Sequence, residues 1–87
     1  MLMSNFTPIV SILEQVIGDR TVPKNIRRAC EESKAILNNA TESDQLKIST
    51  AINILDEITN DPNMPLYART QIWNIVSMLE QARRLLK

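Results

Sequence analysis

Displaced by 42 positions, the chain falls on itself without a gap. Ile12-Leu13 meets Ile54-Leu55, Glu14-Gln15-Val16 meets Asp56-Glu57-Ile58, and Gly18-Asp19 meets Asn60-Asp61. Further on, Val22-Pro23 meets Met64-Pro65, Arg27 meets Arg69, and Ile36-Leu37 meets Met78-Leu79. Helical periodicity brings apolar residues into register, but it does not align an Asp, a Pro and an Arg at the same offsets. The chain therefore reads as one helix hairpin written twice, over about 5–39 and about 42–86, inside a single domain spanning 1–87.

Apolar residues recur every three or four positions, and the one glycine and absence of alternating β-branched runs argue against sheets. Four helices are predicted. The first covers Asn5 to Ile17 with Phe6, Ile9, Val10, Leu13, Val16 and Ile17 inward. Pro8 fits its first turn, and Gly18 stands where a left-handed terminating residue is wanted. The second runs from Pro23 to Asn39 on Ile26, Ala29, Cys30, Ser33, Ile36 and Leu37. The third opens on Thr41 as cap, with Asp44 three positions later, and uses Leu46, Ile48, Ala51, Ile52, Leu55 and Ile58 up to Thr59. The fourth, Pro65 to Leu86, is the longest, with Ala68, Ile72, Ile75, Leu79, Ala82 and Leu86 as its stripe.

Each half carries the same turn chemistry: Asp19, Pro23 and Arg27, then Asp61, Pro65 and Arg69. The Asp is expected to accept from free N–H groups at the start of the next helix, and Pro to preset its first φ. The Arg, two turns on, is expected to fold back onto the Asp, a pairing worth about 0–1 kcal/mol when exposed. This Asp, Pro, Arg pattern resembles the HEAT repeat. Repeats of that type stack into solenoids, normally of three or more. Two copies close more naturally on each other, so the expected architecture is an all-α, four-helix, up-and-down antiparallel bundle. Both Asp-Pro turns then share one end.

The composition excludes much chemistry. There is no histidine, so Ser-His and Cys-His pairs are impossible, and the sequence offers no catalytic residues. Cys30 stands alone on an apolar face and reads as a small buried hydrophobe. Asp56, Glu57, Asn60 and Asp61 form a dense acidic stretch, but it lacks the glycine and closing Glu of a calcium loop, so no metal is expected. No glycine loop cradles a phosphate, and no cofactor motif is present. No apolar run reaches membrane-spanning length, and the start does not read as a signal peptide, so a cytoplasmic, non-enzymatic protein is expected.

Ten basic residues balance ten acidic ones, leaving no global field to draw in nucleic acid. The local exception is a candidate basic patch of Arg20, Lys24, Arg27 and Arg28. Apolar residues beyond the needs of a two-helix face are the stronger signal. Trp73, Ile48 and Leu85 are the candidate interaction surface, with Trp73 the anchor. The expected role is protein–protein interaction or self-association as a homo-oligomer. The alternative is nucleic-acid binding on the basic edge.

The assembled pattern, namely Ile12 to Asp19, Val22-Pro23 with Ile26, Arg27 and Ala29, and Ile54 through Asp61, Pro65 and Arg69, resembles a family of small archaeal proteins of uncharacterised function. The resemblance implies a four-helix bundle and brings no activity or site residue with it.

Overall fold

The computed structural model describes residues 6–86. Four helices follow one another: α1 (Thr7–Ile17), α2 (Lys24–Leu37), α3 (Asp44–Ile58) and α4 (Leu66–Leu85). Each helix packs on its chain neighbours, and α4 closes the ring against α1. The diagonal pairs, α1 with α3 and α2 with α4, make no close backbone approach. This is the up-and-down bundle expected, 40 × 19 × 18 Å in extent.

The core follows the apolar stripes. Leu13, Val16, Ile26, Cys30, Ile48, Leu55, Ile72, Ile75 and Leu79 are buried along its length. Val22 and Met64, just ahead of the two prolines, plug the turn end. The sequence placed Ile48 on a candidate surface, but it lies fully inside, because the face of α3 that meets α2 and α4 runs through Ile48, Ala51, Ile52 and Leu55. Leu46 is the converse. It was expected inward and stands half exposed, while its neighbour Lys47 is buried. Lys47 tolerates burial because its Nζ lies 3.3 Å from an Asp44 carboxylate oxygen and 5.4 Å from the centre of the Phe6 ring.

All three inter-helix turns use one device. Asp19, Asn39 and Asp61 each accept, on side-chain Oδ1, the backbone N–H two residues on: Thr21 at 2.9 Å, Thr41 at 3.0 Å and Asn63 at 2.8 Å. These are Asx turns. Four residues after each stands a residue with ψ near 150°, Pro23, Ser43 or Pro65, and the next helix begins one residue later. Two sequence expectations change accordingly. The Asp carboxylates brace the loop rather than cap the following helix, and the prolines sit one position ahead of the first helical residue. Likewise Thr41 is an Asx-turn donor, and the cap of α3 is Ser43, whose Oγ accepts from the Leu46 N–H at 3.2 Å.

Gly18 also departs from expectation. Its φ is −81° and ψ −2°, a right-handed conformation, and among the described residues none has positive φ. The Asp19 N–H reaches the Val16 carbonyl at 3.1 Å, so the chain leaves α1 through a tightened last turn that needs no left-handed residue. The Asn5 start predicted for α1 lies outside the described residues.

Candidate interaction surface

The two Asp-Pro turns lie side by side at one end of the bundle, and each holds the other. Asp19 spends Oδ1 on its own turn and Oδ2 on the Tyr67 hydroxyl at 2.9 Å. Asp61 spends Oδ1 on its own turn and Oδ2 on Asn25 Nδ2 at 2.8 Å. Asn25 and Tyr67 are each the second residue of their helix and occupy matching positions in the two halves. The clasp is thus a reciprocal exchange between the two turns.

Hydrogen bonding fixes the charge state of this end. Thr21, through its hydroxyl and its N–H, and then Tyr67 hold the Asp19 carboxyl below its usual 3.8. The Asn25 amide and then the Asn63 N–H do the same for Asp61. The expected Arg–Asp pairing takes another form. Arg69 donates to main-chain carbonyls, Nη1 to Thr59 and Nη2 to Asp61 at 3.1 Å, tying the end of α3 to the turn. Arg27 makes no such bond, and its Nε is buried without a hydrogen-bond partner.

Among the described residues the large apolar side chains left exposed are Leu46, Leu66, Tyr67, Trp73 and Leu85. Tyr67 is engaged in the clasp. Leu66 (74% exposed) and Trp73 (53%) stand seven residues apart on α4, two turns along one outward face. Leu85 (79%) is exposed as well. It lies roughly 18 Å further along the helix and about 120° around it, so it shares no patch with Trp73. Of the three sequence candidates, then, Trp73 and Leu85 are on the surface but apart, and Ile48 is in the core.

In the basic group, Lys24, Arg27 and Arg28 line one shallow pocket of about 180 Å³ with Ile17 and Glu31. Arg20 is exposed in the turn and lines none of it. The Cys30 thiol is buried, and burial followed by the nearby Glu31 charge pushes its pKa up to about 12. It is a packing atom, not a nucleophile.

Residues 3–82 match the model of the uncharacterised protein family UPF0147. This chain belongs to that family. Archaeal UPF0147 relatives are close in sequence. The protein from Methanothermobacter thermautotrophicus is 53% identical, the match covering 93% of this chain and 81% of the relative. That from Methanocaldococcus jannaschii is 51% identical over 86% and 81%. The fold is that of two crystal structures. A UPF0147 protein from Thermoplasma acidophilum superposes with a TM-score of 0.85 at 40% identity, covering 88% of this chain and 91% of that one. A protein of unknown function superposes at 0.83 and 48% identity, covering 86% and 85%.

Two residues of the clasp in this chain, Asn25 and Tyr67, are not singled out by the sequence. Their signal is weak, because an amide and a phenol do not resemble each other. What they share is position: each stands six residues after its Asp.

Proposed function

We propose that this protein is a non-enzymatic binding module that docks another protein on the outer face of α4. Trp73 is the anchor and Leu66 the second contact. The observation that carries this reading is the pair itself: a half-exposed indole and a mostly exposed leucine two turns apart, in a chain with one tryptophan. Large aromatic side chains at a surface are costly to leave in water and dominate interfaces when covered. The partner presents an apolar cleft.

Cross-linked pull-down from native cells, with and without nuclease, tests the reading alongside light scattering of the purified chain. A monomer is expected, together with a nuclease-resistant partner whose recovery falls about tenfold in Trp73→Ala and Leu66→Ser. Loss of every partner on nuclease treatment favours the nucleic-acid alternative and overturns this one. A dimer that dissolves in Trp73→Ala replaces the foreign partner with a second copy.

A further inference from the structure

The two arginines that the sequence equates do different work. Arg69 closes the foot of its hairpin by donating to the carbonyls of Thr59 and Asp61. The matching carbonyls in the first hairpin are those of Ile17 and Asp19, and among the described residues Arg27 donates to neither. Instead its Nε is buried and unpaired. Leaving a buried donor without a partner is unfavourable, and more so for a charged group. The second hairpin places the Nη groups of its arginine on those carbonyls, an arrangement that Arg27 does not adopt.

The surroundings of Arg27 are charged. Lys24, Arg28 and Glu31 share its stripe on α2, and with Ile17 at the end of α1 they line the shallow pocket of about 180 Å³. None of Lys24, Arg27 and Arg28 forms an ion pair among the described residues. Three cations therefore line one shallow pocket with a single carboxylate, Glu31, while the Asp19 charge in the neighbouring turn also acts on Arg27. The geometry points to an oxyanion site, and we infer that this pocket binds the phosphoryl group of a small molecule. Arg27 and Arg28 supply planar guanidinium donors and Lys24 a point charge, the combination that suits phosphate oxygens. Glu31 narrows the class. It repels the successive phosphates of a nucleic-acid strand, and it accepts a hydrogen bond from a hydroxyl or amine beside a single phosphoryl group. The ligand is a small phosphate ester carrying such a donor. The site lies on α2, diagonal to the outer face of α4, and does not depend on the docking surface proposed there.

Inorganic phosphate titrated into the ¹⁵N-labelled full chain, at ionic strength held constant with sodium chloride, tests the site. Saturable amide shifts confined to Ile17 and the first two turns of α2 are expected. They weaken about tenfold in Arg28→Gln, an exposed position, and disappear in Arg27→Gln. Arg69→Gln lowers the melting temperature and leaves the phosphate response intact. Shifts that stay linear, or that chloride alone reproduces, overturn the site. So does an Arg27→Gln variant that melts lower, as Arg69→Gln does, but responds to phosphate like the wild type, because Arg27 then closes its hairpin in solution. A single-stranded RNA oligonucleotide that shifts the same amides where inorganic phosphate does not overturns the small-molecule class.

Discussion

Gly18 illustrates how a residue can suit a position without being required by it. Its backbone is right-handed, and a Cβ built there meets the Glu14 carbonyl oxygen at 3.4 Å, an ordinary contact. Gly18→Ala should therefore stabilise the protein by about 0.4–1 kcal/mol, because alanine restricts the unfolded chain and fits the folded one. Thermal or urea unfolding measures it, and a destabilised variant would show that the turn needs glycine after all. Cys30 is the second case. Buried, with its thiol pushed up to about 12, it should react with a thiol reagent at a rate set by unfolding of the bundle and not by local chemistry. Rapid labelling of the native protein would contradict this.

At the scale of the elements, the clasp between the two turns is sensitive to acid. Both Asp carboxyls lie below 3.8 in the folded state and return to about that value on unfolding. A depressed folded-state pKa adds stability that is complete above the unfolded value and is lost as pH falls through the folded one. The melting temperature should thus be flat from about pH 7 to 5 and fall below about pH 4. In the double variant Asp19→Asn, Asp61→Asn the fall should be shallower. Asparagine keeps the Oδ1 that braces each turn, so the fold survives while the titrating groups are gone. An unchanged acid limb would mean that other carboxylates carry it. The same turns temper the case for duplication. The α2–α3 loop, outside the repeat, also uses an Asx turn and an extended cap, so that much of the turn grammar is a common solution to joining two helices. What the two halves share beyond it is the Pro, the Arg and the reciprocal bond of the second carboxylate oxygen.

For the whole molecule, stability rests on one aliphatic core. Leu55→Ala opens a cavity in the shared core and should cost about 2–5 kcal/mol, a large part of the roughly 5–15 kcal/mol that holds a domain of this kind folded. Urea denaturation reads this directly, and a cost below 1 kcal/mol would indicate that the core closes over the loss. The helices, their order and the pairing of the turns at one end were all legible in the chain, because short-range spacing and turn chemistry dictate them. Leu46 and Ile48 both fit a loose apolar stripe on α3, yet Leu46 is exposed and Ile48, also offered as a surface residue, is core. Which flank is covered depends on where α2 and α4 lie, and spacing along one helix carries no record of that. The repeated Asp, by itself, determined where each hairpin turns. Only the packed bundle decided what its second oxygen would hold, since Tyr67 and Asn25 are 48 and 36 positions from their partners. The same is true of the arginines. The sequence wrote Arg27 and Arg69 as equals, and tertiary packing bound one to the carbonyls at the foot of its hairpin and left the other facing a pocket of charge.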